Sequence, residues 1–247
     1  MFRHQGRTRT LSHNLKIASL LSFVAGIVNV AGFLAVQRLT TNVTGHFAFF
    51  VDEVFKLNTW QAIVFFLYIF FFFLGSFVSS FLIEITSRKN ERLIYTFPVL
   101  MESLILFIVG ALAMQFVIAH PDLISFSLLF AMGLQNSLVT KISNAAVRTT
   151  HLTGLFTDLG IELSQLFFYK SSEQKNKLKA AIKLRFTIIS FFFLGGIAGG
   201  VFYSRISLHV LMIAAIMLIG GLIYDNIRFK IILLRRRLRT ADVERRT

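Results

Sequence analysis

The chain has 247 residues, of which 55% are hydrophobic and only 15% are charged, and its mean hydropathy is +0.69. Soluble domains carry about 25% charged and roughly 45–50% apolar residues, so this composition excludes an ordinary soluble enzyme. The net charge is +14, and the basic residues lie mainly outside the apolar blocks. This argues against a nucleic-acid partner, because a DNA-binding protein carries its basic residues on the surface of a soluble fold. We interpret the chain as an integral membrane protein.

Apolar blocks of about twenty residues, the length needed to cross a hydrocarbon core of roughly 30 Å, occur six times along the chain. The first is too long for a signal peptide, so we expect a retained helix. Two further blocks, 43–56 and 151–169, are respectively too short and too polar for a comfortable span, and short blocks are typical of buried or re-entrant helices. The six long blocks are 15–37, 59–83, 93–119, 122–140, 183–204 and 206–226.

The connections between the blocks predict the domain boundaries. Pro121 would end the preceding helix and Asp122 can cap the next one, which predicts a helical hairpin. The polar, basic stretch 170–183 predicts an extended loop or a surface helix, and the basic tail is expected to lie on anionic lipid headgroups. The expected divisions are a basic cytoplasmic N-terminus at 1–14, membrane repeats at 15–119 and 122–226, and a basic cytoplasmic tail at 227–247.

The two halves carry similar motifs in the same order, which indicates an internal duplication. Each half is expected to contain a long helix, a short Thr-Gly helix and two long helices. The segment TTNVTGHF from Thr40 aligns with TTHLTGLF from Thr149, identical at five of eight positions, and the same register places Glu53 on Glu162. The other matches are Gly26-Ile-Val-Asn29 with Gly133-Leu-Gln-Asn136, and Phe71-Phe-Phe-Leu-Gly75 with Phe191-Phe-Phe-Leu-Gly195.

Two topologies fit these blocks. Six spans with two short Thr-Gly membrane helices place 23 Lys and Arg residues on the inner side and 3 on the outer, whereas eight spans give 19 and 7. Basic residues concentrate on the cytoplasmic side of membrane proteins, so six spans are favoured and eight remain the alternative. Six spans make the halves inverted, as in many transporters, and both topologies place the two termini in the cytoplasm.

The Thr-Gly elements are the first candidates for a binding site. Hydroxyls can cap free backbone N–H groups, glycine permits a break in a membrane helix, and free N–H groups at a helix start attract anions or polar groups. The hypothesis is that Thr44 and Gly45, together with Thr153 and Gly154, form two half-sites that face one cavity. The alternative is that they are ordinary caps and close packing positions.

Side-chain amides occur inside spans at equivalent places in the two halves. Asn29, Gln135 and Asn136 can each donate and accept hydrogen bonds, so they could line a path for a polar solute. They could equally form hydrogen bonds between helices.

Three carboxylates are candidates for proton or ion coupling, because ionisable groups at bilayer depth are costly and usually functional. Glu53 and Glu162 occupy equivalent positions, although Glu53 could instead be solvated beside Asp52 and Lys56. Glu102 lies near the middle of its span, and its alternative is a neutral acid bound to His209 or Asn136.

These motifs resemble those of the YoaK family, bacterial integral membrane proteins whose biochemical role is largely unassigned. The resemblance covers roughly Leu15 to Tyr224 and implies an inner-membrane protein without indicating a substrate. The chain departs from the family pattern at Asn29, where Asp is common, and at His46, where Asn is common. The motifs are Gly26-x-x-Asn-x-x-Gly-Phe33, Thr44-Gly45, Met132-Gly-Leu-Gln-Asn136 and Val147-Arg-Thr-Thr-x-x-Thr-Gly154.

The leading functional hypothesis is a transporter or permease for a small polar or anionic solute in the bacterial inner membrane. The chain has no Cys, which removes disulfides and thiol chemistry, and it shows no common catalytic or metal-binding motif. We therefore expect no enzyme activity, metal or cofactor. The alternatives are a non-transporting scaffold or regulatory subunit and, supported only by Glu102, an intramembrane enzyme that acts on lipid.

Overall fold

The described chain folds into α-helices joined by turns. The computed structural model describes residues 10–89 and 93–244, with side chains up to residue 227. Most of the predicted basic N-terminus and the side chains of the basic tail, with their expected lipid contacts, lie outside the described residues. The helices are α1 (Leu11–Val36), α2 (Val43–Phe55), α3 (Thr59–Lys89), α4 (Thr96–Ala111), α5 (Met114–Ala119), α6 (Pro121–Ser143), α7 (Leu152–Phe168), α8 (Ser172–Ile206) and α9 (Val210–Glu244).

Two local features differ from the sequence predictions, and a third decides between two alternatives. The block 93–119 is not one helix, because Leu112 and Ala113 have extended backbone between α4 and α5. Of the loop and the surface helix predicted for 170–183, the structure has the helix: most of the stretch forms the first turns of α8, where Lys, Gln and Ala are good helix formers. Asp122 does not cap α6 through its side chain; it lies in the first turn and accepts a hydrogen bond from Tyr68.

The helices have the length and surface of a membrane protein. Within the described residues, four stretches are long and apolar enough to cross a membrane, and the last of them contains both α8 and part of α9, separated by a 3₁₀ turn at Ser207–His209. The apolar helix α4 is shorter, at 16 residues. Large apolar side chains on α3, α4, α8 and α9 are exposed, as expected where lipid tails cover the protein. The four stretches are Leu11–Val36, Thr59–Lys89, Pro121–Ser143 and Ser172–Ile227.

The antiparallel pair α1 and α6 forms the centre of the bundle. The Gln135 side chain of α6 donates a hydrogen bond to the Leu21 carbonyl of α1 at 2.9 Å. Further along α1, a Cβ on Gly32 would lie 3.0 Å from Leu128, so residue numbers rise along α1 as they fall along α6. Around this pair, α8 packs on α1, α3 packs on α6, α4 packs on α9, α2 packs on α3 and α7 packs on α8.

Glycines hold α1 with α8, and α3 with α6, at backbone contact. A Cβ on Gly26 would lie 2.1 Å from the Phe192 carbonyl oxygen. In the other pair, a Cβ on Gly133 would lie 2.1 Å from the Phe72 carbonyl oxygen. No larger residue fits at either position unless the helices separate. Gly195 and Gly75 make the reciprocal contacts with Phe23 and Phe130. Contacts over a longer distance show that both pairs are parallel: Gly195 meets Phe23 and Gly200 meets Val30, while Tyr68 binds Asp122 and Glu84 binds Lys141.

Gly133→Ala should therefore destabilise the protein, because its methyl group would collide with the backbone of α3. Overpacking of this kind costs about 1–3 kcal/mol, which for a chain of this length lowers the thermal midpoint by roughly 2–12 °C. Thermal unfolding of the detergent-purified protein measures the change. The control is Gly160→Ala on α7, where a Cβ meets nothing within 4 Å. Equal midpoints for the two variants would contradict the close contact.

Candidate functional site

The two ends of the bundle carry different chemistry. We call the end where α1 finishes and α3 and α6 begin the Tyr68 end. The opposite end, where α6 finishes and α7 packs on the first half of α8, is the Arg185 end. The residues that the sequence singled out are distributed between these ends, so we describe them by position along the bundle.

After α1, the chain turns back along the helix that it has just left. Thr40 Oγ1 donates a hydrogen bond to the Val28 carbonyl at 3.2 Å, and Thr41 Oγ1 donates to Asn29 Oδ1 at 2.6 Å. Because α1 ends at Val36, Asn29 lies about 10 Å inside the end of the helix. This fold-back segment, residues 37–42, therefore re-enters the bundle before α2 begins.

After α6, the second fold-back segment, residues 144–151, makes the corresponding contacts. Thr150 Oγ1 donates a hydrogen bond to Asn136 Oδ1 at 3.0 Å, and Gln135 Nε2 donates to Thr149 Oγ1 at 3.0 Å. The Gln135 Oε1 atom is buried and has no hydrogen-bond partner. The predicted amides thus anchor the fold-back segments, and the threonines that bind them were missed, although the paired Thr-Thr of the repeat was their signal.

Thr44 and Thr153 do not act as the predicted caps. Helix α2 begins one residue before Thr44, and the Asn42 side chain accepts the hydrogen bond from the Gly45 N–H at 3.0 Å. Asn is a preferred N-cap residue, which explains why the helix starts earlier. Both threonine side chains are exposed and make no side-chain hydrogen bond in the described part of the chain.

The two glycines permit close approach of a neighbouring side chain. A Cβ on Gly45 would lie 2.5 Å from Leu39, and a Cβ on Gly154 would lie 2.5 Å from the ring of His151. The structural alternative for the Thr-Gly elements, close packing, therefore accounts for both glycines.

The amides that anchor the two fold-back segments lie at different depths in the bundle. Since Leu21 lies beside Gln135, Asn29 is about 12 Å further along the bundle than the neighbouring Asn136. The first fold-back segment lies toward the Tyr68 end of the bundle, and the second lies toward the Arg185 end. A solute that moved along α1 and α6 would meet the two amides in succession.

The Arg185 end contains a polar cavity of about 400 Å³ between the second fold-back segment, α7 and α8. Arg148 in its wall makes no hydrogen bond or ion pair with any described residue. Arg185 binds Glu162 at 2.5 Å and Asp158 at 3.2 Å. The predicted coupling residue Glu162 therefore ties α7 to α8 through an ion pair. The charged or polar residues in the cavity wall are Arg148, His151, Asp158 and Arg185.

At the Tyr68 end, α2 packs on α3 through apolar side chains. The rings of Phe49 and Phe65 lie 5.3 Å apart, and a neighbouring cavity of about 370 Å³ is lined mainly by apolar residues. Glu53 lies in the last turn of α2, its side chain is 15% exposed, and it accepts hydrogen bonds from Asn58 at 2.8 Å and Lys56 at 3.2 Å. The hydrogen bonds from Lys56 to Asp52 and Glu53 raise the pKa of the lysine.

Glu102 is fully buried in the middle of α4, and neither of its carboxyl oxygens has a hydrogen-bond partner among the described residues. Neither proposed partner reaches it. The His209 ring contacts the Ile206 carbonyl at 2.8 Å, and Asn136 bonds to Thr150 and to the Met132 carbonyl. The carboxyl group is therefore left alone inside the bundle.

Comparison with known proteins agrees with the resemblance seen in the sequence. A family described as protein of unknown function (DUF1275) matches residues 17–224. The UPF0700 transmembrane protein YoaK of Bacillus subtilis (strain 168) is 27% identical over 167 residues, which is 64% of this chain and 71% of that protein. No solved structure matches the chain.

Arg185→Gln should destabilise the protein, because it leaves the mostly buried Glu162 carboxylate without its cation. The expected loss is about 1–3 kcal/mol, or roughly 2–12 °C in thermal midpoint. Adding Glu162→Gln should restore part of the loss, since two neutral amides can hydrogen-bond. Thermal unfolding of both single variants and the double variant measures the coupling; additive losses would show that the ion pair contributes nothing.

Proposed function

We propose that this protein, which belongs to the DUF1275 family of proteins of unknown function, carries small polar or anionic solutes across the bacterial inner membrane. The observation that carries the proposal is the pair of hydroxyl-anchored fold-back segments. Non-helical backbone at membrane depth is tolerated only where it is buried in protein or lines a water-filled cavity. Interrupted elements of this kind form the substrate sites of many transporters.

Equivalent contacts in the two halves support a pair of repeats. In the register of the sequence motifs, the bond between Thr41 and Asn29 corresponds to the bond between Thr150 and Asn136. The contact of Gly26 with Phe192 likewise corresponds to that of Gly133 with Phe72. Exchanging α1 with α6, α2 with α7, α3 with α8 and α4 with α9 gives the same set of major helix pairs.

The direction of the helices supports six spans and inverted halves. Each half begins with one helix of the central pair, α1 or α6, and these two helices are antiparallel. Eight spans would give both halves the same orientation and would make the central pair parallel. Arg38, Lys56 and Arg205 lie at the Tyr68 end, whereas α1 begins at the Arg185 end, so the positive-inside rule makes the Arg185 end cytoplasmic.

The chemistry along the bundle fits a polar or anionic solute. The cavity at the Arg185 end offers the Arg148 guanidinium, which has no partner among the described residues, as a first contact for an anion. Asn136 and then Asn29 offer amides further along. Glu102 is the candidate for ion coupling, because an ionisable group inside a membrane-spanning helix is costly and usually functional. Transport of this kind involves no covalent step, enzyme chemistry or cofactor.

Topology can be mapped with single cysteines, because the chain has no native Cys. A membrane-impermeant maleimide should label Leu57→Cys from outside intact cells and Ala145→Cys only after the membrane is permeabilised. Both positions are exposed, so reaction depends on the side of the membrane rather than on burial. The reverse pattern would establish eight spans.

Flux into proteoliposomes tests transport with a panel of small polar and anionic solutes. Thr41→Val combined with Thr150→Val removes two hydrogen bonds, each of which contributes about 1 kcal/mol. We expect transport to fall by roughly tenfold or more. The control is Thr157→Val on α7, whose exposed hydroxyl bonds only to the Thr153 carbonyl.

Two outcomes would count against the proposal. Unaltered flux in the Thr41/Thr150 double variant would refute a role for the fold-back segments, and a matched Thr44→Val/Thr153→Val variant tests the sequence-based site separately. If no solute on the panel moves and a stoichiometric partner co-purifies with the protein, the scaffold alternative is favoured.

A further inference from the structure

The Tyr68 end contains a partly buried polar cluster that none of the contacts described for transport requires. We call Arg38, His46, Tyr68 and Asp122 the polar quartet. The Tyr68 hydroxyl donates a hydrogen bond to the Asp122 carboxylate and thereby ties α3 to α6. The Arg38 guanidinium lies beside this hydroxyl, and the His46 ring lies 4.6 Å from the Tyr68 ring between centroids. His46 and Tyr68 are both 0% exposed.

His46 has one occupied and one unoccupied ring nitrogen. Its Nε2 atom lies 2.5 Å from the Leu39 carbonyl oxygen, so this nitrogen carries the hydrogen and donates. Its Nδ1 atom is buried and has no hydrogen-bond partner in the part of the chain that the structure describes, and the neighbouring Arg38 Nε is also buried without one there. The imidazole therefore keeps a free lone pair that can accept a proton.

The fold does not require polar residues at these positions. In the register of the two halves, the four equivalent residues at the Arg185 end are all apolar and pack in or against the main hydrophobic core. The same packing arrangement is thus built without any ionisable group. The equivalents of Arg38, His46, Tyr68 and Asp122 are Val147, Leu155, Ile188 and Leu15.

We propose that His46 is a proton-binding site and that proton uptake there opens the Tyr68 end by separating α2 from α3. Its part in coupling transport to protons rests on the function proposed above. Proton uptake would place a second positive charge close to Arg38, on a ring that is itself fully buried. A buried charge without a partner is strongly unfavourable, so the imidazolium is stabilised by movement of α2 toward water.

The surroundings of His46 offer no other partner for that charge. The α3 groups that face it are the Phe65 and Tyr68 rings, and the Asp122 carboxylate of α6 is already bound by the Tyr68 hydroxyl. On α2 itself, the charged residues Asp52 and Glu53 are six or more positions away, about 9 Å along the helix, and the following Lys56 is bound to both.

Cysteine accessibility in the detergent-purified full chain tests the proposal without a transported solute. Ala62 lies on α3, is 4% exposed and lines the apolar cavity beside α2. Leu57, in the turn between α2 and α3, is 87% exposed. We compare the rates at which a methanethiosulfonate reagent modifies Ala62→Cys and Leu57→Cys. Their ratio cancels the effect of pH on thiol reactivity. It should rise about tenfold as the pH falls from 7.5 to about 4.5, because a buried imidazole takes up its proton only at lower pH than an exposed one.

Variants of the polar quartet should change the pH dependence of this ratio, which a purely structural role of these residues would leave unchanged. His46→Leu copies Leu155, and His46→Gln keeps a polar side chain; both should hold the ratio at its low value across the pH range. Arg38→Val removes a repelling charge and should move the midpoint to higher pH. Asp122→Leu removes an attracting charge and should move it to lower pH.

A pH-independent ratio in the parent chain would overturn the proposal, and so would a pH dependence that survives in both His46 variants. Size-exclusion profiles identify any variant that fails to fold. Because the labelling needs no solute, its failure leaves the flux test of transport standing. Likewise, a protein that transports nothing could still show the proton-linked opening.

Discussion

Backbone contact between helices at glycine is the constraint on which the rest of the structure depends. Apolar side chains gain little by leaving lipid for one another, so membrane helices associate through close packing and hydrogen bonds. Gly26 and Gly195 bring α8 against α1, and Gly75 and Gly133 bring α3 against α6, at distances that no Cβ would allow. With these two pairs set, α1 and α6 occupy the centre, and each fold-back segment lies beside one of them.

The two halves combine similar geometry with different chemistry. At the Arg185 end an ion pair between Asp158 and Arg185 joins α7 to α8, and at the equivalent positions Phe49 and Phe65 stack α2 on α3. The polar quartet at the Tyr68 end is likewise replaced by apolar residues at the other. The two ends therefore share their helix packing, but at each of these sets of equivalent positions one end is charged or polar and the other is apolar.

The anchoring hydrogen bonds are suited to a site that must open. A single bond between a hydroxyl and an amide contributes about 1 kcal/mol net, so a polar group on a solute can replace it at little cost. In the transport function proposed above, Asn29 and Asn136 would hold a fold-back segment in one state and a solute in another. In this view the structural and functional interpretations of the amides describe two states of the same hydrogen-bonding groups.

Much of the organisation could be predicted from the sequence because it depends on local properties. The length of an apolar block decides whether a helix can span a membrane, and the positions of the blocks agree with the helices apart from the break at Leu112. The motifs around Asn29, Thr44 and Asn136 could be found because short segments recur. The same local signals misplaced the cap of α2, since Asn42 competed with Thr44 for one N–H group.

Composition and block length are thus sufficient to identify an all-α membrane protein and the segments that carry polar groups. Which of these groups meet depends on how the helices pack. Tyr68 binds Asp122 across 54 residues, Arg185 binds Glu162 across 23, and Glu102 is left without either of its expected partners. These outcomes depend on which helix faces are brought together and in which direction the helices run, and neither is encoded in the spacing of residues along one segment.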